Sequence, residues 1–130
     1  MAVEVAAAVI ERNGKILITR RGPGGDMAGK WEFPGGKLEP GETAAECLRR
    51  EIWEELRLRI EVGEFIAKSI FRQPEREIVL LAYRARWLSG EPVLTVHDEF
   101  QWVTLPELVN FDFAPPDVPV VAALLRKVAE

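Results

Sequence analysis

Glu51, Glu54 and Glu55 stand at i, i+3 and i+4 within residues 36–58, GKLEPGETAAECLRREIWEELRL, directly after a glycine-rich stretch. On a helix turning about 100° per residue they fall within an arc of roughly 100°. Like charges at this spacing cost a helix a few tenths of a kcal/mol per pair unless a cation neutralises them. A hard divalent cation does so. Magnesium suits the set, because it is typically held by one or two carboxylates, keeps several waters and shares a substrate's phosphate oxygens; manganese is a compatible substitute. The bland alternative is a solvated face paired with Arg49, Arg50, Arg57 and Arg59, and the preceding loop weighs against it.

The helix that must carry these carboxylates is legible from local rules. Thr43 followed by Glu46 is a capping box, so the helix is expected to start near Ala44. Ala45, Leu48, Ile52 and Leu56 then form the face turned to the core, with the glutamates at its edge. Residues 3–11 and 15–20 flank Asn13-Gly14, a strong hairpin signal. Residues 22–29 read as a glycine-rich loop, 31–33 as a short strand, and Pro34-Gly35-Gly36 as a turn into the helix. Residues 65–71 and 77–87 read as an antiparallel pair broken at Gln73-Pro74. In the second of these Ile78, Leu80 and Ala82 alternate with Val79, Leu81 and Tyr83, so both faces are apolar and cover is expected on both sides. Residues 90–95 and 100–103 are expected to add short strands, and Thr104 with Glu107 to cap a brief helix. Asp117 opens a last helix with Val118, Val121, Leu124, Leu125 and Val128 as its buried stripe. The class is α/β.

With 130 residues, 48% of them hydrophobic and no long polar tract, the chain reads as one domain spanning 1–130 with a sizeable core. A net charge of -4 argues against binding a nucleic acid polymer, which needs a basic face, while free nucleotides accompanied by a metal remain compatible. The single Cys47 suits a reducing cytoplasm, and no apolar run is long enough to cross a membrane. The apolar start, MAVEVAAAVIERNGK, lacks a basic leading segment and reads as a strand rather than a leader.

The segment resembles the Nudix hydrolase signature: glycine, five residues, glutamate, seven residues, Arg-Glu, an aliphatic residue, any residue, Glu-Glu, any residue, glycine, aliphatic. Gly36, Glu42, Arg50, Glu51, Ile52, Glu54, Glu55 and Leu58 match it. Arg57 replaces the second glycine. A side chain there makes a left-handed helix end less favourable by roughly 1 kcal/mol, so a modest stability cost or a slightly longer helix is expected, with chemistry intact. The resemblance implies an α/β/α sandwich around a central mixed sheet. It implies cleavage of a nucleoside triphosphate to the monophosphate and pyrophosphate, as a monomer or homodimer. Glu51, Glu54 and Glu55 would be metal ligands together with the Gly35 carbonyl, and one glutamate would act through water as base. Arg50 would orient the glutamates, and Gly36 and Glu42 would anchor the loop. A non-catalytic module of the same fold is the alternative, but such modules usually lose the glutamates that this chain keeps.

Many family members take a further metal-binding glutamate from a distant loop, a few residues ahead of a tryptophan. Here Val96 stands at that position before Trp102, so either Asp98 or Glu99 substitutes by a shift in register or the role is absent, and His97 is a loop histidine making an ordinary hydrogen bond or a catalytic one. Beyond the signature, Ile18-Thr19-Arg20-Arg21, Glu32-Phe33-Pro34-Gly35-Gly36 and Phe113-Ala114-Pro115-Pro116-Asp117 resemble the subgroup that removes oxidised guanine nucleotides such as 8-oxo-dGTP. The segments 3–17 and 114–119 resemble its sister group acting on CTP at least as much. The resemblance implies phosphate contact for Arg21 and base recognition for Asp117, with Phe33, Met27 and Phe113 lining the base or packing in the core. An ionised Asp117 only accepts, which favours an exocyclic amine such as that of cytosine; a protonated one also donates. Its other reading is a plain N-cap.

Overall fold

In the computed structural model, which describes residues 1–129 and the side chains through 127, β1 (Ala2–Arg12) and β2 (Lys15–Arg21) form the expected hairpin. Asn13 and Gly14 take φ of 51° and 78°, the left-handed conformation these two residues adopt at least cost. Beyond the turn the strands part company. β3 (Trp31–Glu32) and β7 (His97–Val103) pair antiparallel with β2, while β4 (Gly35–Lys37) pairs antiparallel with β1 at Val5, Ala6 and Ala7. β5 (Arg59–Arg72) and β6 (Glu77–Ser89) are antiparallel, and β6 runs parallel to β1. The sheet is therefore mixed, in the order β3-β2-β1-β6-β5.

Two helices close the two faces. In β1, Ala6, Ala8 and Ile10 point one way and Ala7 and Val9 the other, as the period of two requires. The first set packs with Leu17 against Leu48, Ile52 and Leu56 of α1 (Ala44–Leu56). The second packs with Ile16, Ile18, Leu80 and Ala82 against Val120 and Leu124 of α2 (Val118–Ala129). This double cover explains the unbroken apolar run of β1 and the doubly apolar β6. The result is an α/β/α sandwich.

Several boundaries differ from the sequence reading. Pro34-Gly35-Gly36 is not a turn, because Gly35 and Gly36 continue into β4. The strand expected over 65–71 begins at Arg59; register shifts between Val62, Phe65 and Ala67 break the alternation that would have announced it. Residues 90–95 form no strand, since their polar groups go to a helix end: Val93 N–H donates to the Leu56 carbonyl at 2.9 Å and Thr95 Oγ1 to that of Glu55 at 2.8 Å. β7 starts three residues earlier than expected, at His97. The brief helix after Thr104 is a 3-10 turn, Pro106–Asn110, in which Glu107 accepts both the backbone N–H and the hydroxyl of Thr104. A second 3-10 turn, Pro115–Asp117, precedes α2 and shifts its phase. Val120 and Leu124 are buried, Val121 packs against them, Leu125 is half-buried and Val118 is exposed. The side chain of Val128 lies outside the described residues.

Candidate active site

α1 begins as its capping box dictates. Glu46 N–H donates to Thr43 Oγ1 at 3.1 Å, and Thr43 N–H to Glu46 Oε1 at 2.9 Å. It ends at Leu56, not later, because Arg57 adopts the left-handed conformation (φ 58°, ψ 35°) that the missing glycine would have taken. The guanidinium of Arg57 lies over the Trp53 ring at 5.3 Å and donates to the Trp53 carbonyl at 3.3 Å, which offsets part of the strain.

β4 sets the glycines against this helix. A Cβ on Gly35 would come within 1.9 Å of the Ala6 carbonyl oxygen, and one on Gly36 within 2.3 Å of Glu51 Cδ. Neither glycine has a positive φ, so the need is for close approach rather than for a turn. Without a side chain at 36, the Glu51 carboxylate comes close against the strand.

Arg50 ties the segment together. Its guanidinium donates to both oxygens of Glu42 (2.7 and 2.8 Å) and to Glu51 Oε1 (2.7 Å), with Glu54 at 3.5 Å. Glu42 also accepts the Glu39 N–H at 3.0 Å, and the hydrogen bonds from Arg50 and this backbone bond lower its pKa to about 2. Gly36, Glu42, Arg50 and Glu51 are thus brought together. Glu54 is largely exposed, side chain 56% accessible.

Glu55 differs from both. It points into a cavity of about 300 Å3 that Arg21, Glu32, Val96 and His97 also line, and its Oε1 is buried with no hydrogen-bond partner. Burial first, then the charges of Glu51, Glu32 and Glu54, push its carboxyl up to about 8, with Arg21 opposing. An orphaned carboxylate oxygen among three other carboxylates fits a cation. Among the described residues no three acidic, histidine or cysteine side chains converge closely enough to enclose an ion. The remaining positions of such a cation would fall to backbone, water and phosphate.

The opposite wall was only partly legible in the sequence. Arg21 donates to Glu32 Oε1 at 3.0 Å, and Nε2 of His97 lies 3.0 Å from Glu32 Oε2. His97 is a buried residue at the start of β7 rather than a loop histidine. Asp98 and Glu99 are both engaged by Arg20, at 2.8 and 3.2 Å, and do not line the cavity. One signal could have found Glu32: an acidic residue between Trp31 and Phe33, both buried, must project to the other face of the strand. That is the face of α1 and Glu55.

Asp117 lies nearby, 5% exposed, and its Oδ2 accepts the Phe33 N–H at 3.0 Å across 84 residues of sequence. Its carboxylate therefore holds the backbone between β3 and β4. Burial, reinforced by the charge of Glu32 and opposed by the Phe33 hydrogen bond, pushes its carboxyl up to about 8. The Phe33 ring is buried and stacked on Phe113 at 5.2 Å, packing being the alternative its sequence position left open. Met27 is half-buried on the loop before β3.

A mixed sheet between two helices, with paired glutamates presented by a capped helix behind a glycine strand, defines the class: residues 1–124 match the NUDIX domain, and the chain belongs to the Nudix hydrolase family. Members act on small nucleotide substrates and generally use a divalent metal. The CTP pyrophosphohydrolase of Escherichia coli (strain K12) is 38% identical over 123 residues, covering 95% of this chain and 91% of that protein. The 8-oxo-dGTP diphosphatase of the same strain is 35% identical over 125 residues, covering 95% and 97%. Among solved structures, that of the E. coli ORF135 protein is similar with a TM-score of 0.86 and 37% identity, over 98% of this chain and 91% of that one. No helix among the described residues is long and apolar enough to cross a membrane.

Proposed function

We propose that this protein is a magnesium-dependent nucleoside triphosphate pyrophosphohydrolase of the cytoplasm. It converts oxidised or modified nucleotides such as 8-oxo-dGTP to the monophosphate and pyrophosphate. The carrying observation is Glu55: a buried carboxylate oxygen without a partner, in a cavity that also presents the guanidinium of Arg21. Glu51, Glu54, Glu55 and the Gly35 carbonyl would hold the magnesium, the three carboxylates drawing in from positions in which they do not yet enclose an ion, with manganese as a substitute. Bound there, the metal supplies neutralisation of phosphate oxygens and activation of water.

The chain's own residues do the rest. Arg50, fixed by Glu42, holds Glu51 against Gly36 and keeps that carboxylate near the helix edge. Arg21, held by Glu32, offers donors to the phosphate chain. One glutamate of α1 accepts the proton of the attacking water. Asp117 reads the base: burial raises its pKa to about 8 and so favours the protonated form, which both donates and accepts and matches the carbonyl and ring N–H of 8-oxoguanine.

A second reading, a CTP or dCTP pyrophosphohydrolase, is favoured by the same residue in its ionised form, which accepts from the cytosine amine. The 38% identity to a CTP pyrophosphohydrolase supports it as well. Comparing kcat/KM for 8-oxo-dGTP, dGTP, CTP, dCTP and 5-substituted pyrimidine triphosphates with magnesium separates the two. A preference for 8-oxo-dGTP over dGTP and CTP is expected. A cytosine preference would select the second reading, and no turnover of any triphosphate would refute both.

A further inference from the structure

Two buried side-chain atoms among the described residues have no hydrogen-bond partner, Oε1 of Glu55 and Nδ1 of His97, and both residues line the same cavity. The state of His97 Nδ1 follows from its other nitrogen. Nε2 faces Glu32 Oε2 at 3.0 Å, and the second oxygen of Glu32 accepts from Arg21. A carboxylate engaged by arginine has only lone pairs to offer, so the imidazole carries its proton on Nε2. In the neutral imidazole Nδ1 is then a free lone pair, within a side chain 4% accessible. A buried acceptor left this way normally costs about 1–3 kcal/mol, which a ligand in the cavity removes.

A proton donor from the chain does not supply that ligand, and the cavity already holds two carboxylates that favour positive charge. A histidine whose far N–H is held by a carboxylate, with its near nitrogen open, is the arrangement by which proteins orient a metal-ligating imidazole. We propose that Nδ1 of His97 and Oε1 of Glu55 together hold a divalent transition-metal cation such as Mn2+, with Glu32 as the residue that orients the imidazole. The proposal rests on the reading of Glu55 as a metal-binding carboxylate. Two protein donors leave room for water and substrate phosphate, consistent with the lack of a three-residue cluster among the described residues. Asp98 and Glu99, held by Arg20, leave His97 as the donor this end of β7 gives to the cavity. A nitrogen ligand also favours manganese over magnesium, which takes oxygen.

The test uses Mn2+ alone with the purified full chain, without nucleotide, read by electron spin-echo envelope modulation. Imidazole nitrogen coupling is expected in the wild type and is expected to vanish in His97→Gln. Glu32→Gln is expected to keep the coupling but weaken Mn2+ binding about tenfold or more. Bound Mn2+ without imidazole coupling, or coupling that persists in His97→Gln, overturns the role of His97 while leaving that of Glu55 standing. Failure of Mn2+ to bind at all overturns both. The wild-type spectrum decides even if a variant folds poorly.

Discussion

Burial and its acidic neighbours push the Glu55 carboxyl up to about 8 from an ordinary 4.5. The folded state thus binds this proton more tightly than the unfolded chain does. The associated stability is full below 4.5 and is lost as pH rises through about 8. In chelator at alkaline pH, Glu55→Gln is therefore expected to stabilise the fold by an amount on the order of 1–2 kcal/mol, read as a higher Tm, while abolishing turnover. A lower Tm would mean that Glu55 is not a strained carboxylate. Asp117, also raised to about 8, gives a separate expectation. The ratio of kcat/KM for 8-oxo-dGTP to that for CTP is predicted to fall as pH rises through about 8, because a protonated donor is lost. In Asp117→Asn the ratio should be flat with pH, and a flat ratio in the wild type would remove Asp117 from base recognition. At this scale the sequence named Glu55 and Asp117 but not their condition. Spacing reveals which side chains share a helix face, whereas burial depends on β3 and β7, which lie far away in the chain.

At the level of elements, α1 was legible to the residue because its start is local: Thr43 and Glu46 cap one another whatever surrounds them. Its end was legible too, apart from how Arg57 would resolve the missing glycine. Arg57→Gly is expected to stabilise the protein by up to about 1 kcal/mol, less whatever the guanidinium gains by lying over Trp53, and chemical denaturation would show it. Destabilisation would mean that this cation–π stacking outweighs the backbone strain. β4 escaped notice because two glycines carry no alternation pattern, and their reason is steric. Gly36→Ala forces Cβ to within 2.3 Å of Glu51 Cδ, so at least a tenfold loss of kcat is expected with the fold retained in circular dichroism, by displacement of that carboxylate. Unchanged kcat would separate Glu51 from catalysis. The segment 90–95 misled for a related reason: an exposed apolar stretch looks like a strand until its donors are seen to serve the last carbonyls of α1.

For the molecule as a whole, the alternating apolar faces of β1 and β6 required cover on both sides, and α1 and α2 provide it. That layering puts the glutamates of α1 over the same sheet face as Glu32 and His97, and so builds the cavity from four separate stretches of chain. The layers were readable in sequence; the meeting of those stretches was not, since no local pattern specifies that β7 lies against β2. Hydrolysis of a nucleoside triphosphate between its α- and β-phosphates, at a metal held by Glu55, is decided by phosphorus NMR of a reaction with 8-oxo-dGTP and magnesium. Monophosphate and pyrophosphate should appear together, only with the metal present, and not with Glu55→Gln. Diphosphate with inorganic phosphate, or equal product without metal, would contradict it.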